Sequence, residues 1–312
     1  MKKTIILLAT VLISTVALAQ KSVKVAAHFN KGDYVIYEFE TKAKNTDLGM
    51  DMFQKGEVKY EVTDVRKDGY TIICNTLKCD NVGGEQDNPL NDMGDLIAKS
   101  LVGKKIIYKT DSDGKIIKID NFEELTKEIG NTVDEFINKI FEGSDENMPI
   151  DKNDFKKSIL NDLSEEKLIE SINSSSANHF KLYGKTLATG TMEDEVSSND
   201  IKYKTTYVVT PLSDGSYSIK SSSVGNMSED DMVNMVIAQV EKMMPDQVNM
   251  IKENIGMLKE TGLLKVESNQ QCTYEFLKNG WLKSGEKEFK INIMSNNSEG
   301  NVKWKIKESN IK

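Results

Sequence analysis

Val58, Tyr60 and Val62 alternate with Lys59, Glu61 and Thr63, the period-two pattern of a strand with one buried face. Val35, Tyr37 and Phe39 alternate in the same way with Tyr34, Ile36, Glu38 and Glu40, after the turn Lys31-Gly32-Asp33. Lys67-Asp68-Gly69 turns the chain and Tyr70 to Cys79 returns, because Asp-Gly tolerates the positive φ of a tight hairpin. A second hairpin runs from Lys104 to Thr110, through Asp111-Ser112-Asp113-Gly114, to Lys115–Asp120.

Two helices are predicted around that hairpin. Asn88 caps the first, Pro89 fits its first turn, and Leu90, Met93, Leu96, Ile97 and Leu101 share a face that Gly103 ends. Asn121 and Glu124 form a capping-box-like start for the second, whose face is Leu125, Ile129, Val133, Phe136, Ile137 and Ile140. Short helices follow, one capped by Ser164 and anchored by Leu168, Ile169 and Ile172, and Asn173-Ser174-Ser175-Ser176 reads as a linker.

The second half repeats this order of elements. A strand is predicted near Phe180–Glu193. Ile201 to Val209 alternate, Asp214-Gly215 turns, and Tyr217, Ile219 and Ser221 return. Ser228, followed by Glu229, Asp230 and Asp231, starts a long amphipathic segment that Gly262 closes and Met244-Pro245 interrupts, giving one kinked helix or two. A meander over Leu263–Leu277, Trp281–Ile293 and Asn301–Ile311 ends the chain, with Asn279-Gly280 as its first turn. The fold class expected is α+β: curved antiparallel sheet covered by amphipathic helices, with an element order that an internal duplication would give. The halves divide at 20–176 and 177–312, or form one continuous domain.

The first residues differ from the rest. Lys2 and Lys3 precede an apolar run from Ile5 to Leu18, and Ala17-Leu18-Ala19 offers the small residues of a cleavage site. This is the layout of a secretory signal peptide over 1–19, cleaved after Ala19. No cysteine follows the site, so a lipid anchor is not expected, and the mature chain has no integral membrane segment. The expected location is periplasmic or secreted.

The formal net charge of −8 becomes −10 once Lys2 and Lys3 leave with that segment, and Arg66 is the one arginine. Phosphate neutralisation needs clustered cations, so a nucleic-acid partner is not expected. Cys74, Cys79 and Cys272 form no disulfide framework. Five residues apart on one strand, Cys74 and Cys79 are predicted to face opposite sides and cannot pair; Cys272 bridges one of them, or all are free thiols.

Catalytic chemistry finds little support. His28 and His179 have no neighbouring Cys or His, so no metal site is expected. No Gly-x-Ser-x-Gly elbow is present, and Gly184-Lys185-Thr186 lacks the leading glycine of a phosphate loop. With Gly114 in the glycine slot, a calcium loop would begin at Lys109, so Asp111–Gly114 reads as a hairpin turn. Half of the 14 methionines lie between Met227 and Met257. Met232, Val236, Val240 and Met243 share a helical face, with Ile251 on the continuation; the face is either ordinary core or a pliable lining for an apolar ligand.

Lys31-Gly32-Asp33, Val62-Thr63-Asp64-Val65 with Asp68-Gly69, Leu101-Val102-Gly103-Lys104-Lys105, Asp113-Gly114-Lys115-Ile116 and Asn279-Gly280-Trp281 resemble an uncharacterised family of exported Gram-negative envelope proteins. The resemblance implies export and assigns no activity to any residue. Long antiparallel strands with amphipathic helices also resemble the half-barrel lipoprotein carriers, whose curved sheet holds acyl chains under helices. The expectation is therefore a non-enzymatic exported module, without cofactor, that binds a hydrophobic ligand or an envelope partner, with Met232, Val236, Val240, Met243 and Ile251 lining the site. The alternative is a structural or interaction protein of the envelope with a filled core and no small-molecule ligand.

Overall fold

The computed structural model describes residues 22–45, 47, 50–81, 96, 99–142, 152–153, 156–157, 164–174, 179–196, 201–243, 247–260, 264–293 and 296–311. The export segment and most of the helix expected over Asn88–Leu101 lie outside them. One strand meander comprises β2 (Tyr34–Asn45), β3 (Met50–Arg66), β4 (Gly69–Asn81), β5 (Lys105–Thr110) and β6 (Ile116–Ile119). A second comprises β8 (Met192–Val196), β9 (Lys202–Pro211), β10 (Tyr217–Met227), β11 (Val266–Phe276), β12 (Leu282–Ile293) and β13 (Asn296–Ser309). Both enter a single 11-stranded antiparallel sheet, joined in the middle where β2 pairs with β13.

The duplication that the element order suggested is therefore not what the fold presents. The meanders have five and six strands, and they are continuous through the β2–β13 seam. Side chains from both halves, Val58 and Ile72 from one and Tyr274 and Leu282 from the other, enter one apolar cluster.

Alternation decides which face is buried. Val35, Tyr37, Val58, Tyr60, Val62, Ile72, Ile219, Tyr274 and Phe276 point inward, while their sequence neighbours, buried Thr71 apart, are half-buried or exposed. A short plug fills this inner face at one end. It consists of β1 (Val23–Lys24), the residues after it up to Phe29, a 3-10 turn (His179–Leu182) and β7 (Thr186–Leu187), which pairs with β1. Phe180 packs on Tyr60 and Tyr108 of one wing, with centroids 5.7 and 6.2 Å away, and Tyr183 packs on Phe276 of the other at 6.3 Å. Phe29 stacks on Trp281 at 4.0 Å. Because both wings touch the same segment, the inner face curves around it. Buried tyrosine hydroxyls donate to plug and turn carbonyls: Tyr70 to Ala27 (2.9 Å), Tyr183 to Gly280 (2.9 Å) and Tyr37 to Leu282 (2.7 Å). Gly280 has φ +85°, and a Cβ there would meet the Ala26 carbonyl, so this turn admits only glycine against the plug.

The strand expected over Phe180–Glu193 is thus broken into the 3-10 turn, β7 and β8. Gly184 and Gly190, at φ +84° and +85°, interrupt it. Cys74 and Cys79 also differ from expectation. A bulge opposite Glu57/Val58 adds one residue to β4, so Cys74 pairs with Tyr60 and Cys79 with Gly56, both inward positions on β3. None of the three cysteines forms a disulfide among the described residues.

The helices occupy separate places. α1 (Phe122–Glu142) buries Ile129, Val133, Phe136 and Ile137 against Leu96, Leu101 and Phe141. Asn121 does more than start it: its amide accepts from Ile107 N (2.9 Å) and donates to Lys105 O (2.7 Å), gripping β5. α2 (Glu165–Ser174) covers the edge strand β6, where Glu165 accepts from Ile119 N and Asn173 donates to Ile116 O. Such cover blunts an edge that would otherwise pair with another chain. α3 (Glu229–Met243) and α4 (Val248–Glu260) divide the long amphipathic segment in two, and Ser228 Oγ accepts from Asp231 N at 3.1 Å as N-cap.

Candidate functional site

The five residues named from the methionine-rich segment do not share one environment. Met232 is 1% exposed and joins Ile201, Met227, Val233, Leu264 and Val266 in a second apolar cluster, at the opposite end of the inner face from the plug. Val236 is half-buried against that cluster, and Val240 is buried. The side chains of Met243 and Ile251 lie outside the described residues.

Between the plug and this second cluster lies a panel whose aromatic and aliphatic side chains are partly half-buried, set among buried Tyr274, Cys272 and Val302. Register places its inward positions in rows across the sheet. One row is Tyr274, Gly285, Trp304, Phe39 and Gly56; the next is Cys272, Lys287, Val302, Thr41 and Gln54; the third is Gln270, Phe289, Gly300, Ala43 and Met52. Phe39, Trp304, Phe289 and Ala43 are half-buried, Met52 is 38% exposed, and Ile291 and Ile293 continue the apolar line toward Met232.

Glycine shapes this panel. Phe39 pairs with Gly56, Phe289 with Gly300 and Tyr203 with Gly225 across neighbouring strands. In each pair the ring lies within 2.5–2.7 Å of where a glycine Cβ would stand. Rings that would otherwise project from the sheet lie against it, so the floor is shallow, aromatic and open above. Trp304 continues it beside Phe39, with centroids 5.4 Å apart.

One charge interrupts the floor. Among the inward positions of β2–β4 and β9–β13, Lys287 is the single charged residue. It pairs in register with Cys272 on one side and Val302 on the other, both buried. Its ammonium lies 5.3 Å from the Phe289 ring centre. No carboxylate among the described residues forms an ion pair with it. Burial lowers its pKa below the ordinary lysine value, and the charge of Lys181 on the plug's 3-10 turn adds to the depression, opposed by Cys272. Sequence analysis missed Lys287, although the signal was there: it stands in phase with Gly285, Phe289, Ile291 and Ile293 on an alternating strand.

Several polar groups of this face are partnered, whereas the buried Trp304 Nε1, Trp281 Nε1 and Tyr217 OH have no hydrogen-bond partner among the described residues. Thr205 and Ser223 share a hydrogen bond of 2.8 Å, Tyr203 OH donates to Ser268 Oγ at 3.0 Å, and Gln270 Nε2 donates to Tyr203 OH at 2.9 Å. Cys74, facing Tyr60 and Tyr108, has its thiol pushed up to about 12 by burial, which keeps it protonated and a poor nucleophile. Among the described residues, no three His, Cys, Asp or Glu side chains come together as a metal site, and no helix is long and apolar enough to cross a membrane. Arg66 is a structural brace: it donates to Thr71 Oγ1 at 2.7 Å and to the Thr110 carbonyl at 3.4 Å.

The opposite face has a different character. A trough of about 780 Å³ crosses seven strands, lined by outward side chains of both signs. Its charges neutralise one another, as in Lys303–Glu286 (2.9 Å) and Lys78–Asp80 (2.7 Å), and Lys283 beside it pairs with Glu275 (3.4 Å).

No protein-family model and no curated protein matches this chain. Among solved structures, a lipovitellin structure titled for its lipid–protein interactions aligns at 12% identity with a TM-score of 0.44. The alignment covers 90% of this chain and 26% of that one, so this chain spans about a quarter of the lipovitellin chain.

Proposed function

We propose that this protein is an exported, non-enzymatic binding module that holds a hydrophobic ligand on the inner face of its sheet. The observation behind the reading is the half-buried floor of Phe39, Trp304, Phe289, Ile291 and Ile293, flattened by glycine pairing and flanked by two filled clusters. Contiguous apolar surface left half-exposed is where a protein meets a ligand or partner. Export through cleavage after Ala19 supplies the setting, in the periplasm or outside the cell.

The test is titration of the purified mature chain with the uncharged fluorophore N-phenyl-1-naphthylamine. Saturable binding near one per chain, quenching tryptophan emission through Trp304, is expected. Absence of saturable binding refutes the carrier reading and favours the second one, an envelope interaction protein. The trough across seven strands supports that second reading, since its paired charges suit an extended polar partner better than a lipid.

A further inference from the structure

Lys287 stands six residues from Trp281 at the plug and six from Ile293 at the second cluster, roughly 20 Å along the strand from each. An ammonium among the otherwise uncharged inward positions of β2–β4 and β9–β13 costs desolvation free energy, which a carboxylate partner normally offsets. Here the cross-strand neighbours are Cys272 and Val302, and the second cation nearby, Lys181, repels it. Resting on the carrier reading above, we infer that Lys287 anchors the anionic head of a single-chain amphiphile whose tail lies along the glycine-flattened floor. The tail path follows Phe289, Ile291 and Ile293 on the same strand and ends at half-buried Val236 of α3, beside the cluster that Met232 fills. The anion supplies the charge that the protein does not, and the apolar floor supplies chain contacts, so neither a free anion nor a neutral chain satisfies the whole site. The head groups that fit are a carboxylate or a phosphate monoester, each able to accept from the three N–H donors of a lysine.

Calorimetric titration of dodecanoate and of its uncharged counterpart dodecanamide tests the assignment, with wild type, Lys287→Met and Lys287→Arg proteins. Dodecanoate should bind wild type about tenfold or more tightly than the amide, the size of a charge-assisted contact. Lys287→Met should erase that preference without weakening the amide, and Lys287→Arg should restore most of it. Equal affinity of the two ligands for wild type, or a preference that survives in Lys287→Met, overturns the anchor while leaving the carrier reading intact. Binding of neither ligand overturns both. Acetate and inorganic phosphate, which have the charge without the chain, should give no heat at millimolar concentration. Binding of either one, lost in Lys287→Met, would replace the amphiphile with a free-anion site.

Discussion

The ring of Phe289 on β12 comes within 2.7 Å of the point where Gly300 on β13 would hold a Cβ, and the Lys42 carbonyl blocks the same point from the other side. A side chain at position 300 must displace either an aromatic ring or the β2–β13 seam. Gly300→Val should therefore destabilise the fold by about 2 kcal/mol or more, the cost of overpacking plus backbone shift. Gly130 in α1 has open space around its Cα, so Gly130→Ala should stabilise by roughly 0.5–1 kcal/mol. Urea unfolding followed by tryptophan emission reads both; opposite signs are expected.

Phe29 holds the segment after β1 against Trp281 and Tyr70, at 4.0 and 5.2 Å. Phe29→Ala should cost about 3–5 kcal/mol, the range for a buried phenylalanine. It should also open residues near the N-terminus to limited proteolysis before the sheet unfolds. Retention of the wild-type cleavage pattern would show that the plug is held elsewhere.

Lys287→Met should raise stability by about 1 kcal/mol at neutral pH, because a charge without a carboxylate partner is replaced by an apolar side chain of similar length. The pH dependence has a definite sign. Folding depresses this lysine's pKa below the ordinary 10.5, so at intermediate pH the unfolded chain binds more protons than the folded one. Wild-type stability then gains relative to the variant as pH rises through the folded value toward 10.5. The penalty is fully present below the folded value and gone above 10.5. A gap between the two proteins that stays constant from pH 7 to 10.5 would contradict the assignment.

Met232 is 1% exposed, and Val236 beside it is half-buried. Met232→Ala should cost about 2–5 kcal/mol, as for a filled core position. Val236→Ala should cost less and instead weaken N-phenyl-1-naphthylamine binding. Thermal unfolding and fluorophore titration of the two variants separate packing from lining; equal stability losses would assign both to packing.

Intact-mass measurement of protein exported from its host should give a chain beginning at Gln20. A chain retaining Met1 and found in the cytoplasm would refute the signal-peptide reading.

Much of the secondary structure was legible because local rules decide it. Alternation fixed the inward phase of Val58, Tyr60 and Val62; Asp68-Gly69 and Asn279-Gly280 fixed two turns; Ser228 and Pro245 fixed the start and the division of the α3–α4 segment. What depends on contacts between distant residues was not. Pairing of β2 with β13, which merges two meanders into one sheet, has no local signature, so the repeated element order resembled a duplication. The β4 bulge turned Cys79 to the face of Cys74 because the extra residue is counted against β3, not within β4. Phe180 became plug rather than strand because glycines on both sides of β7 let the chain fold into the curve of the sheet. For the site, helical periodicity specified an apolar stripe containing Met232 and Val236. That the open surface lies on the strands came from strand pairing, where register sets rings on glycines and leaves Lys287 facing inward, since those relationships exist only once neighbouring strands are aligned.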